Sequence, residues 1–148
     1  MRDRKIKSKK VILASDHAGF KLKEEIKKFL IKKRKKVLDL GTKNTNSVDY
    51  PDYAHHLSRR MKKDKSQLGI LICGSGTGMS IVANKHKNIR AALCYNTKST
   101  KLSRLHNNAN VMTLGSRLIK KNVALKCVST FLKTDFDRGR HSRRVNKI

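Results

Sequence analysis

The chain is 148 residues long, 37% hydrophobic and 32% charged, with 37 Lys and Arg against 10 Asp and Glu, a formal net charge of +27. That length suits one compact domain, and no apolar run nears the roughly 20 residues of a bilayer span, which excludes a membrane helix. Aromatics are only 5% of the chain, too few for a base-stacking platform, so the charge reads as lysines spread over solvated helix faces. It still attracts anions at long range, but the scarcity of aromatics among the lysines speaks against specific nucleic-acid binding.

In chain order, residues 1–9 form a basic arm without the apolar stretch of a secretory signal, and residues 10–148 form the domain. Val11-Ile12-Leu13-Ala14 reads as a buried strand opening into Ser15-Asp16-His17. Leu22, Ile26, Phe29 and Leu30 recur at helical spacing between lysines, an amphipathic helix. A second strand, Val37 to Gly41, and a polar loop lead to the only proline, in Asp49-Tyr50-Pro51-Asp52. Asp52 opens a helix running to about Met61. Gly69-Ile70-Leu71-Ile72-Cys73 is the clearest buried strand and enters Gly74-Ser75-Gly76-Thr77-Gly78 directly. A helix from Met79 to about Lys85, a strand from Ile89 to Cys94, a helix from Thr97 to Leu105 and a strand from Val111 to Gly115 follow. A last helix, Leu118 to Leu132, precedes a basic C-terminal tail. Strands alternating with helices over short connections predict an α/β fold: a single Rossmann-like domain with a five-stranded parallel sheet flanked by helices. Ligands of such folds gather beyond the carboxyl ends of the strands, where this order puts Asp16, His17, Cys73, the glycine loop and Tyr95-Asn96. The last pair has no evident role.

Three cysteines, Cys73, Cys94 and Cys127, are an odd number with no close metal-ligand pair. In a chain without an export signal they read as reduced thiols, and the expected location is cytoplasmic. Cys94 and Cys127 lie among apolar neighbours and read as core. Cys73 stands before a glycine loop. Three glycines between a strand and a helix turn several backbone N–H groups into one concavity, and the helix dipole adds positive charge there. By itself such a loop is as readily a plain tight turn. The spacing is not Gly-x-Gly-x-x-Gly, no Asp or Glu lies between Asp64 and Asp135, and no Gly-Lys-Ser/Thr follows, so neither a dinucleotide fingerprint nor a P-loop is present. A thiol facing that loop can ionise to a thiolate and, with no carboxylate near in sequence, is the natural base. Base and loop together suit proton abstraction beside a carbonyl, with the loop amides and Ser75 meeting charge on the enediolate oxygen. A nucleophilic Cys73 would need a similar cradle and stays open on chemistry alone. Arg140 and Arg144, spaced i, i+4 around His141, can take a phosphate together if the tail is helical. A solvated tail is the plainer alternative. His106, after a helix in an Asn-rich loop, is a residue type that exchanges protons near neutral pH, although a lone loop histidine is commonly just exposed.

From Val11 to Ile148 the chain resembles the type B ribose-5-phosphate isomerases, relatives of the galactose-6-phosphate isomerases. The resemblance rests on Ser15-Asp16-His17-Ala18-Gly19-Phe20, Asp49-Tyr50-Pro51-Asp52-Tyr53-Ala54, the run from Gly69 to Gly78, Ala83-Asn84-Lys85, Ile89-Arg90-Ala91, His106-Asn107-Asn108-Ala109-Asn110-Val111, Gly139-Arg140-His141 and Arg144-Val145. It implies interconversion of ribose 5-phosphate and ribulose 5-phosphate in the non-oxidative pentose phosphate pathway. It also implies no metal or other cofactor, and a homodimer or homotetramer whose active site is shared between subunits. Cys73 would move the proton between C1 and C2. Ser75 and the amides of Gly74, Gly76, Thr77 and Gly78 would hold the enediolate. His106 would assist furanose opening, with Asp16 also bonding the sugar. His17, Arg140 and Arg144, together with Arg117, would bind the phosphate, and Asn107 and Tyr50 would line the sugar site.

Some members use a glutamate in the helix after the glycine loop. Met79 holds that place here, which leaves the cysteine form of the mechanism. Arg138 stands where the family usually has glycine. Two alternatives remain: a six-carbon substrate such as galactose 6-phosphate or allose 6-phosphate, and a nucleic-acid-binding protein on the same fold, supported only by charge.

Overall fold

A computed structural model describes residues 9–148; the basic arm lies outside the described residues except for Lys9. Five strands, β1 (Val11–Ser15), β2 (Val37–Asp39), β3 (Leu68–Cys73), β4 (Ala91–Leu93) and β5 (Val111–Gly115), form one parallel sheet in the order β2-β1-β3-β5-β4. The helices are α1 (Phe20–Lys32), α2 (Tyr50–Met61), α3 (Thr77–Ala83), α4 (Thr97–Asn107), α5 (Lys121–Lys133) and α6 (Arg140–Val145). None is long and apolar enough to cross a membrane.

The sheet is buried on both faces because side chains alternate along a strand. Val11 and Leu13 join Leu22, Ile26 and Leu30 of α1 and Val128 and Phe131 of α5 in one apolar cluster. Their neighbours Ile12 and Ala14 face the other way, into a cluster with Ala54 and Leu57 of α2 and Met79 and Ala83 of α3. In β3, Ile70 and Ile72 join the first cluster and Leu71 and Cys73 the second. The Cys73 side chain is thereby committed to the α2/α3 side. From β1 the chain steps to β2 on one side, then crosses to β3 on the other, so the carboxyl ends of β1 and β3 flank a topological switch point, the crevice in which α/β sheets bind ligands.

Element boundaries depart from the sequence expectation at several places, each with a local cause. Helix α2 begins at Tyr50 rather than Asp52, with Asp49 as its N-cap and Pro51 in the first turn, where a missing N–H costs nothing. Helix α4 runs to Asn107, so His106 belongs to its last turn and not to a following loop. Asn108 ends it in a left-handed conformation (φ 47°), which Asn tolerates better than most residues. Strand β4 is only three residues long. Leu118 and Ile119 form a turn whose N–H groups bond back to the Gly115 carbonyl, so α5 starts at Lys121. The tail does coil into a short helix, and Asn96 gains a role: its Oδ1 accepts from the Ser99 N–H at 2.7 Å and caps α4.

Candidate active site

The end of β3 delivers Cys73, 4% exposed, to the mouth of the glycine loop. The Gly76 N–H, at the start of α3, donates to Cys73 Sγ at 3.1 Å, which offers a partner for negative charge on sulfur. That turn needs Gly76 in the left-handed region (φ 78°), where a Cβ would also strike the Leu93 side chain and the Leu114–Gly115 backbone. Gly78 lies under the Tyr50 ring, which a Cβ would meet at 2.5 Å, and Gly74 lies beside the Arg117 guanidinium. Ser75 is exposed, and its Oγ accepts from the Thr77 N–H at 3.3 Å. Met79 is fully buried in the core.

Just beyond β1, Asp16 is 6% exposed, and its Oδ1 accepts from the Gly19 N–H at 3.0 Å. The Val48 N–H donates to His17 Nδ1 at 3.1 Å, so the ring is pinned by the loop that leads to α2. Ser116 ties the mouth together: its N–H donates to the Cys73 carbonyl and its Oγ to the Ala18 carbonyl, both at 2.8 Å. The sequence reading missed Ser116 and Val48. The strand-end Gly115-Ser116-Arg117 was a usable signal for the first, whereas Val48 acts through its backbone and leaves no side-chain signature.

One end of the sheet therefore gathers Asp16, His17, Tyr50, Cys73, Gly74, Ser75, Gly76, Thr77, Gly78 and Arg117. The remaining expected residues stand elsewhere. Helix α4 leaves the carboxyl end of β4 and returns to the amino end of β5, so His106 and Asn107 in its last turn sit at the opposite end of the sheet. At about 3.3 Å per residue, β5 alone separates the two ends by about 13 Å. Helix α6 packs on α4 there: the His106 and His141 rings stack with centroids 4.3 Å apart. His106, Asn107, His141 and Arg144 line one hollow of about 260 Å³, and Arg140 is one turn from Arg144 on the same helix. Burial, with His106, Arg140 and Arg144 adding repulsion, lowers the pKa of His141, against a smaller pull from Asp137. Cys94 and Cys127 are free, buried thiols, with burial pushing Cys94 up to about 11 and also raising Cys127, as suits core residues. Among the described residues, no three His, Cys, Asp or Glu side chains are grouped as metal ligands.

Comparison with known proteins converges on one group. The family model described as Ribose/Galactose Isomerase matches residues 11–148. The ribose-5-phosphate isomerase B of Escherichia coli is 41% identical over 140 residues, covering 95% of this chain and 94% of its own. Among solved structures, a ribose 5-phosphate isomerase from Thermotoga maritima superposes with a TM-score of 0.91 at 49% identity, covering 93% of this chain and 95% of its own. The ribose-5-phosphate isomerase B of Mycoplasma genitalium, solved with bound ribulose-5-phosphate, gives a TM-score of 0.91 at 43% identity over 95% of this chain and 93% of its own.

Proposed function

The chain belongs to the ribose/galactose isomerase family, and from that membership we infer that it is a ribose-5-phosphate isomerase, interconverting ribose 5-phosphate and ribulose 5-phosphate. The observation that carries the chemistry is the Cys73 thiol at the switch point, with the Gly76 N–H aimed at its sulfur. In the reading we propose, the Cys73 thiolate takes the proton from C2 of the open-chain aldose. Negative charge spreads onto the C1 oxygen, and the glycine-loop amides with the Ser75 hydroxyl meet it. A proton passes from the C2 hydroxyl to the C1 oxygen, and the Cys73 thiol returns its own proton to C1, which leaves the C2 carbonyl of the ketose and restores the thiolate. Donors already in place as charge develops need no reorganisation, which is how such a loop lowers the barrier.

Before that step the furanose must open. We assign this to His106, with the second carboxylate oxygen of Asp16 on a sugar hydroxyl and Asn107 and Tyr50 beside the sugar. Arg140, Arg144 and His17 hold the phosphate, assisted by Arg117. Because His106, Asn107, Arg140 and Arg144 stand at the opposite end of the sheet from Cys73, one chain does not supply a whole site, and we propose that a second copy completes it. Each half-site then finds its complement on the partner, as an isologous dimer requires. Ile81, Leu93 and Tyr95, exposed around α3 and the edge strand β4, offer apolar surface for that contact. We place the enzyme in the cytoplasm, the reducing compartment in which a free catalytic thiol persists.

Purified protein assayed on ribose 5-phosphate in chelator-containing buffer tests this. The wild type is expected to turn over, and Cys73→Ala to lose about 10²–10⁴-fold in kcat with KM little changed. A variant that keeps its rate removes Cys73 from the base role and points next to His106.

A further inference from the structure

We propose that the chain carries a second anion site, separate from the isomerase site, that binds a small phosphate-class dianion at the amino end of the sheet between the ends of α2 and α4. A cavity of about 200 Å³ opens there, and its walls include Lys9, Lys62, Lys65, Arg90 and Arg104. No carboxylate among the described residues lines it. Asp64, nearby in sequence, is engaged by the N–H and Oγ of Ser66.

Two of the five cations are rigidly placed. Arg104 is 3% exposed, and its guanidinium donates to the carbonyls of Thr134 and Ala109 and to Asn108 Oδ1. Arg90 donates from Nε to the Asn108 carbonyl at 2.8 Å, while its two terminal nitrogens have no protein partner among the described residues. Such a guanidinium, fixed at one edge and free at the other, is prepared for bidentate contact with a phosphate. Gln67 adds an independent sign. It lines the same cavity, is 6% exposed, and its Oε1 has no hydrogen-bond partner. A buried acceptor left alone is costly, and a hydroxyl on the ligand would satisfy it.

The cations also strain against one another. Burial and the neighbouring Arg104 push the Lys9 ammonium down, with Asp135 pulling the other way. Burial alone lowers Arg90, and burial lowers Arg104 against the pull of Asp135, with a smaller push from Arg90. A dianion among them would relieve that repulsion. The volume lies below the roughly 300 Å³ of drug-sized sites, which limits the occupant to a phosphate with at most a short polar substituent. The cavity does not include Cys73, the glycine loop, Arg140 or Arg144. It does hold Asn108, the residue after the His106-Asn107 turn.

Inorganic phosphate is the probe, and the full-length chain the sample. Because the active site is itself expected to hold phosphate, the test starts from Arg140→Ala/Arg144→Ala, whose two positions are exposed. Calorimetric titration of that variant is expected to show one saturable phosphate site per chain, not reproduced by chloride at equal ionic strength. Adding Lys62→Gln and Lys65→Gln, also exposed positions, is expected to weaken this site by about tenfold or more. In the otherwise wild-type chain, Lys62→Gln/Lys65→Gln should leave isomerase turnover intact. Loss of all saturable phosphate binding in the Arg140/Arg144 variant would overturn the proposal, as would binding unaffected by the two lysine changes. Neither result touches the isomerase reading, which turnover reports separately.

Discussion

At Arg138 a single backbone angle carries a stability cost. The residue has φ 59°, a left-handed conformation that a side chain with a Cβ resists by roughly 1–2 kcal/mol. The family resemblance implies glycine at this place, and glycine adopts that angle freely. Next to it Gly139 (φ 52°) finishes the turn into α6, so two successive positive angles set the start of the helix whose Arg144 lines the hollow beside His106. Arg138→Gly is expected to raise stability by about 0.5–1 kcal/mol, read as a higher urea midpoint with an unchanged slope. No shift in midpoint would mean that the surrounding structure already relieves the angle. Cys73, by contrast, is legible without coordinates. A thiol between a buried strand and three glycines stands out in the chain, and its contact with the Gly76 N–H follows from the tightness of that turn. Ser15, Ser58 and Thr113 are the opposite case, with buried hydroxyls lacking a partner for no reason visible in sequence or structure.

At the level of elements, the β3–α3 junction depends on its glycines for different physical reasons. Gly76 needs its positive φ, and a Cβ there would approach the Leu114–Gly115 backbone at 2.8–3.0 Å. Backbone cannot swing aside as a side-chain tip can. Gly76→Ala is therefore expected to cost about 2–4 kcal/mol and to abolish turnover by disturbing the N–H aimed at Cys73. A Cβ at Gly74 would instead meet the Arg117 guanidinium at 3.1 Å, the far end of a flexible side chain. Gly74→Ala is expected to stay within about 1 kcal/mol of wild-type stability while raising KM for ribose 5-phosphate as Arg117 is displaced. Chemical denaturation and steady-state kinetics on the two variants separate these outcomes, and equal stability losses would refute the distinction. The strands were readable because apolar runs bounded by glycine or polar residues have few other uses. The helix ends were less so: nothing local told that α4 would carry His106 in its last turn, because its stop is set by the Asn108 backbone angle.

For the whole molecule, the decisive fact is that Cys73 stands at one end of the sheet and His106 and Arg144 at the other. If a second copy closes each site, Cys73→Ala and His106→Ala chains are each inactive alone but complement one another. A mixed dimer then holds one site with both residues intact and one with neither. Random reassortment is expected to restore roughly a quarter of wild-type turnover, measured after the two chains are unfolded together and refolded. A mixture that stays inactive would show that both residues act within one chain and that the tail must move to reach the glycine loop. The charge of +27 belongs to this scale too, since it concentrates anionic substrate around every face of the molecule without deciding where it binds.

From sequence alone came the α/β class, the parallel sheet, the thiol with its glycine loop and the family. Each of these is written in short stretches whose apolar period, turn residues or motif spacing are local properties of the chain. Only the tertiary structure decided which of the candidate residues stand at the same end of the sheet. His106, Arg140 and Arg144 lie in motifs as clear as that of Cys73, yet sequence distance does not record which end of a strand a helix returns to. The α4 crossover carries His106 to the amino end of the sheet, because a parallel strand can be entered only from that end, and α6 brings Arg140 and Arg144 there by packing on α4.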